Sequence, residues 1–162
     1  MPGYHTVAHA IARSAGRARA HAARRVLVLA LMLALPAGAA AECTLNIVDV
    51  SFGAYDPFSA GDTDITGNVS VSCDAETSLQ VSLSAGLGSF ATRHLQSGSD
   101  LLRYNLFTDP SRLTIWGDGS PGTSLLSLSG TGGNYTVYGR IPARQNVPVG
   151  TYGDTITVTL IF

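Results

Sequence analysis

The sequence predicts an all-β sandwich, and three observations carry that prediction. The last stretch alternates strictly, with Ile156, Val158, Leu160 and Phe162 separated by Thr157, Thr159 and Ile161 and preceded by Thr155. Similar short alternating runs recur through the chain, divided by glycine, proline and asparagine. No segment after residue 41 shows the 3.6-residue period of an amphipathic helix. Period two in β-branched and aromatic residues is the mark of a strand with one face in a core. Seven or eight such strands at short spacings fit a two-layer sandwich with one core.

Taken in order, the chain first divides by charge. Arg13, Arg17, Arg19, Arg24 and Arg25 precede an apolar run from Val26 to Leu35, and no acid occurs before Glu42. Small residues follow, Pro36 to Ala41. A basic region, a short apolar run and an A-x-A site describe a secretory signal. The run is shorter than the roughly 20 residues a bilayer span needs. Cleavage fits after Ala41 or after Ala39, so residues 1–41 are expected to be removed and 42–162 to form the mature domain. The mature part then holds five arginines, no lysine and all eleven acids, a net charge of −6. That composition has no basic footprint for nucleic acid or for an anionic membrane.

Two cysteines remain, Cys43 and Cys73. An even count in an exported chain predicts a disulfide. Closing a loop of about 30 residues stabilises the fold by roughly 3 to 4 kcal/mol in the chain-entropy picture.

The first strand, Thr44 to Phe52, changes phase. Leu45 and Ile47 lie on one face, Val48, Val50 and Phe52 on the other, as at a bulge or where a strand leaves its sheet. Gly53 to Pro57 ends it. Val69, Val71 and Cys73 line a second strand, and Leu79, Val81 and Leu83 a third. A long Gly/Ser-rich connection then carries Phe90, Arg93 and Leu95. Leu102 to Thr108 is the next strand, closed by the turn Asp109-Pro110-Ser111. Leu113 to Trp116 is short, and Leu125 to Leu128 reads as an edge strand before the glycine-rich Gly130 to Asn134. Tyr135, Val137, Gly139 and Ile141 alternate in a further strand. The final strand runs to Phe162, so its second neighbour is expected either from an earlier part of the chain or from another chain.

Catalytic groups are sparse. His94 is the one histidine after the signal, in a Gly/Ser-rich stretch, and no serine sits in a nucleophile elbow. The carboxylate pairs Asp62/Asp64 and Asp100/Asp109 have the residue types for glycosidase chemistry, but an acidic domain supplies such pairs by chance. Asp118 alone does not make a calcium site. Neither a metal nor a cofactor is expected, and the protein reads as no enzyme.

Five phrases occur in order: Phe52-Gly53-Ala54-Tyr55-Asp56-Pro57, Tyr104-Asn105-Leu106-Phe107-Thr108-Asp109, Trp116-Gly117-Asp118-Gly119, Tyr138-Gly139-Arg140-Ile141-Pro142-Ala143 and Gly150-Thr151-Tyr152-Gly153-Asp154-Thr155. Together they resemble the spore coat protein U domain family, which includes Csu-type subunits of archaic chaperone–usher pili, over essentially all of 43–162. The resemblance implies an immunoglobulin-like sandwich of about six to eight strands that lacks one. In such families a periplasmic chaperone lends the missing strand and the next subunit's N-terminal extension later replaces it, by β-strand addition, so a chaperone, an outer-membrane usher and neighbouring subunits are the partners the resemblance implies. The face of Ile156, Val158, Leu160 and Phe162 would then border the acceptor groove. With at most Ala40-Ala41-Glu42 left before Cys43, the chain is expected to accept a strand and not to donate one. The destination would be the cell surface or an extracellular fibre, by way of the periplasm. The alternative is a self-sufficient secreted adhesin-like binding module, with an exposed aromatic or acidic patch around Trp116 and Asp118.

Overall fold

A computed structural model describes residues 41–162, so the expected signal segment lies outside the described residues. Six strands are present: β1 (Cys43–Val48), β2 (Thr63–Leu83), β3 (Arg93–Ser97), β4 (Asp100–Phe107), β5 (Leu126–Ile141) and β6 (Val158–Ile161). All pairings are antiparallel, in the order β1-β2-β5-β4-β3, with β6 also on β2. The sheet curls around a single core, and no helix occurs among the described residues.

β2 is the longest element. Its inward residues Val69, Val71, Cys73, Leu79, Val81 and Leu83 are all buried, while Ser72, Asp74, Glu76, Ser78 and Gln80 are exposed. The second and third predicted strands are therefore one. Between Ser72 and Thr77 the pairing with β5 is interrupted by an irregularity, which bends the strand and lets it continue along the curled sheet. Asp74 and Glu76, between the two runs, are exposed on the outside of this bend.

β5 bends with it. Gly130 and Gly132 have φ of +97° and +107°, a region that L side chains rarely adopt. A Cβ on Gly132 would run into the backbone of Val71. The glycine-rich stretch that looked like a loop is strand, so the runs at 125–128 and 135–141 are also one element. Leu113 to Trp116 makes only isolated bridges, so two mergers, this loss and one addition, β3, turn the eight runs read from the sequence into six strands.

β1 pairs with β2 from Cys43↔Cys73 to Val48↔Asn68, and Cys43 and Cys73 form the disulfide across this pair. Past Val48 the chain leaves β2. Val50 and Phe52 turn inward onto the core while Val48 stays exposed, which is where the sequence changes phase.

Polar side chains fasten the connections. Arg93 is fully buried. It donates from Nε and an Nη to the Ser84 carbonyl at 3.3 and 2.8 Å, to the Trp116 carbonyl at 2.8 Å and to Asn105 Oδ1 at 2.6 Å. Burial lowers its pKa from the usual arginine value, an effect partly offset by Tyr104 and Asp154. Trp116 is fully buried too, its indole N–H donating to the Val81 carbonyl at 2.9 Å. That removes Trp116 from the exposed patch on which the alternative reading rests, because an indole at the centre of a core offers no surface to a ligand, and leaves only Asp118 exposed there. The Tyr55 hydroxyl accepts from Gln145 N at 2.7 Å and donates to the Pro142 carbonyl at 3.2 Å, anchoring the segment after β1 to the one after β5.

At the other end of the β2–β5 pair, Arg140 donates to both Asp64 oxygens at 2.7 and 2.8 Å, and Asp62 and Arg112 join the cluster. The hydrogen bond from Arg140, opposed by some desolvation and helped by the charges of Arg140 and Arg112, holds Asp64 below the usual carboxylate range. A depressed folded pKa gives stability that is complete above the unfolded value of about 4 and is lost as pH falls through the folded value. Denaturant unfolding followed as a function of pH should therefore show a steeper acid loss in the natural protein than in Asp64→Asn. Parallel acid limbs would show that the cluster contributes nothing to folding.

Candidate functional site: an open slot beside the final strand

Residues 150–162 carry inward side chains at every second position. Tyr152, Asp154, Ile156, Val158 and Leu160 are partly buried, while Thr151, Gly153, Thr155, Thr157 and Thr159 are exposed. β6 pairs with β2 along one edge only, Val158↔Leu83 to Ile161↔Gln80. Its other edge has no backbone partner among the described residues. The segment just before it is held by single points, Gly153 to Gln96 of β3 and the Thr157 carbonyl accepting from Ser84 N.

On the far side stands the segment that leaves β1. Among the described residues no backbone hydrogen bond joins 49–55 to 154–161. A slot opens between these two lines of chain. One compartment of about 330 Å³ is walled by Ile47, Val50 and Phe52 on one side and Ile156 and Val158 on the other. Its floor is the buried core itself, Val69, Leu83, Leu106 and Val137. A second compartment of about 590 Å³ continues past Tyr55, Leu102, Ile141, Val147 and Tyr152. The two share Val50, Phe52, Leu95 and Asp154 as walls.

The lining follows from the alternation of the chain. Phe52 packs edge-on to Tyr104, ring centroids 5.8 Å apart, and closes one end of the floor. The Tyr104 hydroxyl donates to Asp154 Oδ2 at 2.7 Å, and Leu87 N and Thr155 N donate to the same carboxylate. Desolvation first, then the contact with Asp154, raises the Tyr104 phenol well beyond its ordinary range, so it stays neutral. Gly86, at φ +59°, lies against the Asp154 carboxyl and Ile156, where a Cβ would have no room.

Of the four residues expected along the groove, Ile156 and Val158 line the slot. Leu160 packs on the core farther along. Phe162 does not reach it: this side chain is 69% exposed at the opposite end, beside Leu79 and Leu128. The alternation holds through position 162, but β6 ends at Ile161. Sequence reasoning missed the other wall, Ile47, Val50 and Phe52, as part of the same site. It also missed Asp154 and Tyr152, which extend the same period two toward the amino terminus.

The residues considered for catalysis are dispersed. His94 lies on β3, Asp62 and Asp64 are engaged by Arg140, and Asp109 caps its own turn through Leu113 N and Thr114 N. Asp118 accepts from Ser120 N in an exposed turn. Among the described residues no three His, Cys, Asp or Glu side chains gather as for a metal.

A sheet wrapped on one core, with a cross-strand disulfide and an uncovered apolar slot, invites comparison with known proteins. Residues 29–159 match the Spore Coat Protein U domain family. The chain belongs to that family. It is 39% identical over 128 residues to Protein U of Myxococcus xanthus, covering 70% of this chain and 71% of that protein. Among solved structures it resembles a chain of the CsuC–CsuE chaperone–tip adhesion subunit pre-assembly complex from archaic chaperone–usher Csu pili of Acinetobacter baumannii. The TM-score there is 0.55 at 26% identity, over 76% of this chain and 40% of that one. The spore coat U domain thus spans less than half of the pilus-complex chain, and that likeness bears out the immunoglobulin-like class.

The slot makes a stability prediction. Leu83 is 3% exposed, so Leu83→Ala should cost about 2 to 5 kcal/mol. Ile156→Ala, on a wall that faces open space, should cost about 1 kcal/mol. Chemical denaturation of both variants checks this; equal losses would mean that the slot is closed in solution.

Proposed function

We propose that this protein is an exported structural subunit of a bacterial surface fibre or coat, assembled when an extended segment of another chain fills the slot. The observation that carries the reading is the apolar floor lying between two lines of chain that share no backbone bond. A strand laid there would bond to the open edge of β6 and set alternate side chains on Val69, Leu83, Leu106 and Val137. Nothing catalytic is required of such a part.

Family membership, the Protein U relative and the pilus-complex likeness support this reading. The neighbour's complex pairs a chaperone with a pilus subunit. By analogy the partners here are a periplasmic chaperone and then neighbouring subunits, delivered through an outer-membrane usher. An unfilled edge beside apolar side chains is prone to pair with other chains, so a chaperone answers a physical need. Removal of the signal after Ala39 or Ala41 would leave too few residues before Cys43 to reach a neighbour's slot, which gives the role of strand acceptor. Val50, Phe52, Ile156 and Val158 are the contacts assigned to the incoming strand.

The test supplies the strand in cis. An alternating Val/Thr segment joined after Phe162 through a short Gly/Ser linker should occupy the slot and raise Tm by on the order of 10 °C, the shift that a few kcal/mol gives a domain of this size. The amides of β6 should gain protection from hydrogen exchange. A fusion with unchanged Tm and unchanged exchange would overturn the proposal.

A further inference from the structure

The inward row of the last segment is not uniformly apolar. Between Tyr152 and Ile156 it carries Asp154, whose carboxylate lines both compartments of the slot. The carboxylate is satisfied only by neutral donors: the Tyr104 hydroxyl, Leu87 N and Thr155 N. These are three donors for roughly four acceptor positions. Among the described residues every Lys/Arg contact within 4.0 Å of a carboxylate goes to Asp62 or Asp64. Arg93 is near enough for its field to be felt, but its donors go to Ser84, Trp116 and Asn105.

A strand laid over the slot takes water away from this group. An apolar side chain opposite it would leave a desolvated charge without compensation, which is costly. An acidic one would add repulsion. Inward-facing charges of this kind are one way in which open sheet edges resist unselective pairing. Here the charge sits at the seam of two apolar compartments, so it also fixes register.

We infer that Asp154 selects the occupant: the segment that fills the slot places a lysine or arginine opposite Asp154, between apolar residues that enter the compartments on either side. The inference rests on the strand-acceptor reading. A basic residue there has its stem on Phe52 and Leu95 and its charge on the carboxylate, the arrangement in which long cationic side chains cover apolar surface while their heads stay polar. A segment with the same alternation but no cation would bind more weakly and in more than one register.

The test uses synthetic peptides of alternating valine and threonine, just long enough to fill the slot, with lysine, leucine or glutamate at the central inward position. A fourth peptide carries its lysine two residues away, at equal net charge. Binding to the exported, disulfide-bonded protein is read by fluorescence anisotropy. The central-lysine peptide should bind about tenfold tighter than the leucine and displaced-lysine peptides, with glutamate weakest. In Asp154→Asn the advantage should fall to less than about threefold, while the leucine peptide binds at least as well as before. If that variant does not fold, the displaced-lysine comparison in the natural protein decides alone. Equal affinity of the central and displaced lysine peptides overturns the inference and leaves the acceptor reading standing. Failure of all four peptides to bind overturns both.

Discussion

The pairing of β2 with β5 is the constraint on which the rest depends. β5 occupies one edge of β2 from Thr63 to Val81, while β1 and β6 take separate stretches of the other edge. Two strands that long stay paired along a curl only if both bend at the same place. The irregularity between Ser72 and Thr77 is met by Gly130 and Gly132 in left-handed conformation. β1 and β6 sit at different heights on β2, and among the described residues the chain segments next to them share no backbone hydrogen bond. The slot is a consequence of that spacing rather than of any missing residue in its walls.

Burial of polar groups serves the same end. Arg93 draws together the carbonyls of Ser84 and Trp116 and the amide of Asn105, holding the connection after β2 against the core without a carboxylate partner. Gln145 does the equivalent on the other side, donating to the Arg103 and Pro142 carbonyls and accepting from Arg103 N. Bonds of charged or fully buried groups are worth more than exposed ones. They fix the edges of the floor, which an apolar contact alone would let slide.

Much of this was legible in the residues. The runs at 69–73, 79–83, 102–106 and 135–141 carry their inward side at every second position, and these positions are buried, with Tyr135 only partly so. Cys43 and Cys73 were paired by counting. What failed was continuity: the runs at 69–73 and 79–83 counted as two strands and Gly130 to Asn134 as a break, because a bend shared by two strands uses the same residue types as a chain reversal. β3 escaped notice since only five residues, Arg93 to Ser97, face β4, and its most buried member is an arginine. In the site, period two pointed to Ile156 and Val158. The far wall lies a hundred residues earlier, and no local pattern links Val50 to Ile156.

The bond between Cys43 and Cys73 joins residues that are direct partners across two strands. A slip of one place would turn every side chain of a strand to the opposite face. Locking the first pair therefore acts as an index mark for Leu45 and Ile47, and through them for Val50 and Phe52. Closing this bond would thus set the alignment of one bank of the cleft before any visitor arrives.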